Sequence, residues 1–248
     1  MTQSDLALST ETSTRHLSCL ETGKSQPSRE MIARLADYLN IPLRDRNALL
    51  LAAGFAPAFQ ERSLTDLEAA KSSIDRVLNA HRPYPAFAVD RHWNVVLSNS
   101  ALPQLYENCS EELLRPPVNA VRIVLHPAGM GPQIVNFAEW RAHTLTILRH
   151  QIEMRADPVL QELLSEVLGY PIPPGSASAG NLDYAQSLAT PLRISTRLGT
   201  LSFLNTLTVF GTPNDVTLSE LALEMLFPAD DLTIQIAENM VQELVAVG

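Results

Sequence analysis

The 248-residue chain is 46% hydrophobic and 18% charged, which excludes wholesale disorder and leaves room for one or two folded domains. No apolar run approaches the ~20 residues of a membrane helix. The start, MTQSDLALST, has neither the basic nor the apolar stretch of a secretion signal, so a cytoplasmic protein is expected. Cys19 and Cys109 are too few and too far apart for a disulfide framework or a zinc knuckle.

The net charge of −9 argues against nucleic acid only until the chain is divided. Residues 1–62 hold seven Lys/Arg and seven Asp/Glu, so the remaining 11 and 20 leave the entire −9 on residues 63–248. From Arg15 to Arg34 four basic residues face two acidic ones. Phosphate contacts need only such a local excess.

In chain order, Gln3 to Ser9 suits a helix, and Thr10 to Ser13 is turn material. Ser13 is a good N-cap for a helix running to Thr22, with Leu17 and Leu20 on one face and Gly23 as its stop. Pro27-Ser28 opens the next, whose Ile32, Leu35, Ala36 and Leu39 keep helical spacing, and Leu43 to Ala53 forms another before Gly54. Ala56 to Arg62 reads as a linker, and residues 64–81 as a connecting helix ended by Pro83 and Pro85.

Composition then shifts. Ala86–Asp90 and Trp93–Asn99 are expected strands around Arg91-His92. Helices follow over Val118–Leu125, Asn136–Arg155 and Pro158–Leu168, then a Pro- and Gly-rich loop over residues 170–181. Leu188–Arg197 and Thr200–Phe210 are expected to form a hairpin joined at Leu198-Gly199. Thr217–Phe227 is ambiguous and is read as a third strand of this group, before a last helix over Asp230–Val245. The fold class is α+β, an all-α N-terminal unit followed by a five-stranded antiparallel sheet with helices.

Two separated regions carry a family resemblance. HLSCLETGKSQPSREMIARLADYLNIPLRDRNALLLAAGFAP (His16 to Pro57) resembles the XRE-type helix-turn-helix domain of the MmyB-like transcription regulators. PYPAFAVDRHWNVVLSN (Pro83 to Asn99), RIVLHPAG (Arg122 to Gly129), IVNFAEWRAH (Ile134 to His143) and FGTPNDVTLSELALEMLFPADD (Phe210 to Asp231) resemble that family's second domain. The resemblance implies a helix-turn-helix domain at 1–62, a connecting helix at 63–82 and a PAS-like ligand-binding domain at 83–248. It further implies a bacterial regulator, with fatty-acid-like molecules as the ligand class. Two departures stand out: the helix that precedes Gln3 in such domains is not in this sequence, and the turn positions usually glycine and apolar are Glu11 and Thr12.

With Leu17 and Leu20 inward, the helix from Ser13 leaves Thr14, Arg15, Ser18 and Cys19 for a DNA groove, with His16 at its edge. Arginine pairs bidentately with guanine. Ser13, Gln3 and Lys24 complete the DNA-facing candidates; the plain alternative is a solvated helix of a small bundle. For a ligand, the apolar candidates are Phe87, Trp93, Trp140, Phe203 and Leu207, most of which would otherwise be core. The polar candidates are Asn99, Arg122, His126, Asn136 and Arg141, because a buried carboxylate needs a cation or several donors.

Thr22-Gly23-Lys24-Ser25 lacks the glycine five residues before Gly23 that a phosphate-binding loop needs, so no nucleotide is expected. His143 and His150 share a helix face without a third ligand nearby, and no catalytic motif is present, so neither metal nor enzyme is expected. The expected partners are a double-stranded DNA operator, a small apolar ligand and a second copy of the chain. The alternative is a lipid- or metabolite-binding sensor module acting through protein contacts, with an incomplete DNA-binding unit.

Overall fold

The computed structural model describes residues 2–174, 176, 190–211 and 213–247, which divide into two compact units. One comprises Met1–Leu67 with Phe210–Glu220; the other comprises Glu68–Val209 with Leu221–Gly248.

The first unit is helical: α1 (Gln3–Ser9), α2 (Thr14–Glu21), α3 (Arg29–Tyr38) and α4 (Leu43–Ala52). Three of the four helices start where a hydroxyl can take an orphan N–H. Thr2 and Asp5 close a reciprocal capping box on α1, Ser13 accepts from the His16 amide on α2, and Ser28 accepts from Met31 on α3. Gly23 and Gly54 both take positive φ just past helix ends, as an αL stop requires. Ala7, Leu17, Met31, Ile32, Ala36 and Leu50 form the core.

The turn between α1 and α2 puts Glu11 at φ +52, a conformation that costs a residue with a side chain about 1–2 kcal/mol. The position at which the sequence lacks the family's glycine is therefore one at which the backbone asks for it.

Phe210–Glu220 joins this unit through a short helical turn, α9 (Val216–Ser219). The Val216 amide donates to the Gln60 carbonyl at 2.8 Å, and the Thr217 hydroxyl donates to the Arg62 carbonyl at 2.6 Å. Arg62 Nε reaches the buried Asp215 carboxylate at 3.0 Å. Arg44 forks onto Glu220 at 2.7 and 3.0 Å and also pairs with Glu61. The expected strand over Thr217–Phe227 is thus corrected. Asp215 accepts from the Thr217 amide and caps a helical turn, and strand begins only at Ala222.

The second unit starts with α5 (Glu68–Ala80), preceded by a 3-10 turn at Leu64–Asp66. Then follow β1 (Ala86–Val89), β2 (Val95–Ser98), α6 (Ala120–Leu125), α7 (Phe137–Arg155) and α8 (Pro158–Leu168). β3 (Leu192–Thr196), β4 (Gly199–Val209), β5 (Ala222–Pro228) and α10 (Asp231–Val247) complete it. The five strands pair antiparallel in the order β2-β1-β5-β4-β3. This is the helical unit plus curled α+β sheet expected of a PAS-like protein.

Boundaries differ from the sequence reading in two informative places. The expected strand from Trp93 begins at Val95, because Asp90 accepts from the His92 and Asn94 amides at 2.8 and 2.9 Å and holds a turn that includes Trp93. The hairpin turn is Arg197-Leu198, since Thr196 already pairs with Gly199. Residues 188 and 189 of the expected first strand, and most of the loop 170–181, lie outside the described residues. The core gathers Ile123, Leu125, Phe137, Leu148, Leu160, Ile194, Leu201 and Phe203 between one sheet face and helices α6 to α8.

Candidate functional site

Two places present organised chemistry. The first is α2. Leu17 is buried, while Ser13, Thr14, Arg15 and Ser18 are exposed and His16 and Cys19 half-exposed, as the inward leucine spacing requires. Lys24 is exposed just past the helix end. Gln3 is exposed too, but its amide donates to Glu21 at 2.9 Å and ties α1 to the end of α2. Two acidic side chains, Glu11 and Glu21, are therefore exposed at the ends of the same helix.

The second is a half-open cavity of about 70 Å³ in the sheet unit. Its floor lies on the sheet rung where register pairs Phe87 with Glu224, next to Leu207 outside the cavity. Directly paired residues share a face, and Asn205, two positions before Leu207, joins them there. α6 supplies Ala120, Val121 and Val124. α7 supplies Trp140, His143, Thr144 and Ile147, the i, i+3, i+4, i+7 stripe of one helix face.

Trp93 closes the remaining side. It sits at φ +68, a genuine outlier for a bulky residue, and its indole N–H donates to Gln151 at 2.8 Å. Strain of this kind persists only where neighbours over-determine it. Here the Asp90 turn and the Gln151 bond fix the ring against the cavity.

The polar groups of the cavity are unusual. Glu224 is 3% exposed, and burial pushes its carboxyl up to about 7 although the Asn205 side chain hydrogen-bonds it and pulls the other way. Among the described residues its Oε2 has no hydrogen-bond partner, and neither does Asn205 Oδ1. Burial holds His143 below its ordinary pKa and so favours its neutral imidazole, its ring 5.2 Å from that of Trp140.

Of the ten expected ligand residues the cavity brings together Phe87, Trp93 and Trp140. The structure places the other seven elsewhere. Asn99 is a buried staple whose amide donates to the Leu78 and Tyr84 carbonyls and accepts from the Ala86 and Ala101 amides. Arg122 forks onto Glu166 across α6 and α8 at 2.7–3.0 Å. His126 caps the end of α6, its Nδ1 accepting from the Ala128 amide, and packs edge-on against Tyr170.

Asn136 bridges Glu139, the Pro191 carbonyl and the Arg193 amide. Arg141 reaches the Leu168 carbonyl at 3.4 Å, Phe203 is core, and Leu207 is half-exposed outside the lining. Sequence reading missed Asn205, His143 and Glu224. The available signal was a lone carboxylate inside the apolar strand ALEMLFP.

A larger apolar hollow lies among α2, α3 and α4, lined by Leu20, Ile32, Leu35 and Leu49. Gln26 is the polar side chain of that lining, which gives a ligand little to orient against. Among the described residues no cluster of three metal-ligating side chains occurs, and no helix is long and apolar enough to cross a membrane.

The chain thus consists of a capped helical unit and a five-stranded antiparallel-sheet unit, and comparison with known families identifies both. Residues 70–239 match the model of the MmyB-like transcription regulator ligand binding domain, and residues 1–45 match a helix-turn-helix model. The chain belongs to the MmyB-like transcription regulator family, as a DNA-binding regulator with a ligand-binding domain. No curated protein matches it. A solved structure titled "Structure of an RNA-binding Light-Oxygen-Voltage Receptor" aligns over 99% of this chain and 57% of its own length, at 12% identity and a TM-score of 0.27. So low a score leaves the fold assignment to the strand order itself.

Proposed function

We propose that this protein is a sequence-specific DNA-binding regulator in which α2 enters the major groove and occupancy of the sheet-unit cavity alters operator affinity. The carrying observation is that one chain combines an exposed, capped helix with Arg15 outward and a half-open aromatic cavity holding unpartnered polar atoms. Arg15 would read a guanine edge, while Thr14, Ser18 and Lys24 would hold base edges or phosphates. A short recognition helix reads few base pairs, so a homodimer on a two-fold site is the working assembly. The cavity binds rather than transforms its ligand, and the protein works in the cytoplasm.

The ligand is small and largely apolar. A fatty acid is the reading the resemblance supplies; its carboxylate would need a cation, and Arg122 and His126 lie outside the cavity lining. Coupling follows the chain: Glu220, gripped by Arg44, ends the Phe210–Glu220 segment, and Glu224 of the cavity floor is four residues further on. A ligand that binds one arrangement of β5 better than another shifts the population that the helical unit presents to DNA.

Band-shift titration with a duplex carrying the sequence upstream of its own gene tests the reading. Sequence-dependent retardation is expected, weakened in Arg15→Ala by about 5- to 150-fold, the equivalent of ~1–3 kcal/mol. Equal retardation of unrelated duplexes contradicts it. The exposed carboxylates Glu11 and Glu21 beside α2 favour a second reading, a sensor acting through protein contacts, which the same titration would reveal by showing no retardation.

A further inference from the structure

The cavity's unsatisfied atoms narrow the chemistry of what enters it, an inference that rests on the ligand-sensing reading above. Buried polar side-chain atoms almost always find a partner, so each exception asks for an explanation. Here two exceptions lie in one cavity lining, Glu224 Oε2 and Asn205 Oδ1. Asn205 Oδ1 is an acceptor, and Glu224 Oε2 is one in its ionised form, which a neighbouring cation favours. What they then lack is a donor.

An ionised carboxylate ligand offers only acceptors and opposes the ionisation of Glu224 by like charge. The lining's own cation-capable side chain, His143, is held towards its neutral form by burial, and Arg122 is committed to Glu166. A protonated amine brings three donors and the compensating charge. Phe87, Trp93 and Trp140 supply aromatic surface that attracts a cation and packs an apolar body. The present volume, about 70 Å³, is below the ~150 Å³ that admits benzene, so a narrow body entering from the open side fits better than a wide one.

We propose that the cavity binds a small apolar amine, its nitrogen donating to Glu224 and Asn205 and its hydrocarbon body lying among Phe87, Trp93 and Trp140. Such an amine is cationic at neutral pH, as a lysine side chain is. Glu224 and Asn205 set specificity, and the rings supply most of the contact area.

The chain's two tryptophans, Trp93 and Trp140, both line the cavity, so intrinsic fluorescence reports its occupancy directly. The full-length protein is titrated with hexylamine, 1-hexanol and hexanoate, a set that differs in the polar end. Hexylamine is expected to bind at least about tenfold more tightly than either partner, as charge-assisted hydrogen bonds warrant. Glu224→Gln is expected to reduce hexylamine affinity about tenfold while leaving 1-hexanol within about threefold, and Asn205→Leu to weaken hexylamine in the same direction. Hexanoate binding as tightly as hexylamine, an unchanged hexylamine affinity in both variants, or no response to hexylamine would each overturn the amine assignment. The band-shift outcome is independent of these probes, so losing the ligand class is distinguishable from losing the regulator.

Discussion

Arg15 on α2 and Glu224 on β5 are both ionisable side chains, and the two units treat them oppositely. The helical unit leaves Arg15 in water, where its charge is solvated and open to the proposed contact with a phosphate or a base edge. The sheet unit sinks Glu224 to 3% exposure and leaves one of its oxygens unpartnered, an arrangement that costs stability unless something arrives to meet it. An exposed reading face can be laid out cheaply on any amphipathic helix. A cavity that keeps a buried acceptor has to be supported by surrounding core, here α6, α7 and the strained turn at Trp93.

The contrast can be broken in graded steps. Trp140→Ala removes a side chain that belongs to both core and cavity, and should destabilise the sheet unit by ~3–5 kcal/mol. Thermal melting followed in the near-ultraviolet should record the loss, with the helical unit retaining its far-ultraviolet signal.

Glu224→Gln comes next and has the opposite sign at neutral pH. The folded carboxyl titrates near about 7 and the ordinary one at 4.5, so between those values the folded state holds a proton that the unfolded chain has lost. The stability present below pH 4.5 is therefore lost as pH rises through 7, a change of ~3 kcal/mol. His143, depressed by burial, opposes this by adding stability as pH climbs towards 6.5. Denaturant midpoints from pH 4 to about 8 should fall at the upper end in the wild type and flatten in Glu224→Gln. An unchanged profile in the variant would place the titration elsewhere.

Arg44→Met removes an ion-pair partner of Glu220, whose side chain is 12% exposed. The arginine itself is about a third exposed, so the expected cost is only ~1–2 kcal/mol after screening. Its signature is faster amide exchange at Val216, whose N–H bonds the Gln60 carbonyl. The smallest effect belongs to Glu11→Gly, which relieves φ +52 and should gain ~0.5–1 kcal/mol in the helical unit, net of the entropy glycine adds to the unfolded chain.

Legibility in the sequence followed the same divide. Ser13, Ser28, Gly23 and the Leu17 spacing act through neighbours three or four residues away, so periodicity and capping reveal them. Phe87, Trp93 and Trp140 were visible because large rings among β-branched and helical apolar positions have few other places to go. Glu224 and Asn205 meet only through the pairing of β4 with β5, a register that no local pattern encodes. Arg122 and His126 were attractive as a cation pair four residues apart, yet Glu166 and the Ala128 amide, brought by the fold, occupy them. The Phe210–Glu220 segment was the hardest to foresee. Asp215, a buried carboxylate within a polar turn, became meaningful only once Arg62 was placed beside it.

The linkage between cavity and reading helix is the claim on which the rest depends, and filling the cavity tests it without any ligand. Val124→Phe places extra volume into the space between α6 and the sheet floor while leaving α2 untouched. Operator affinity measured by fluorescence anisotropy on a labelled upstream duplex should change by about fivefold or more, the low end of ordinary allosteric coupling. A folded Val124→Phe protein that binds the duplex with wild-type affinity would contradict the account.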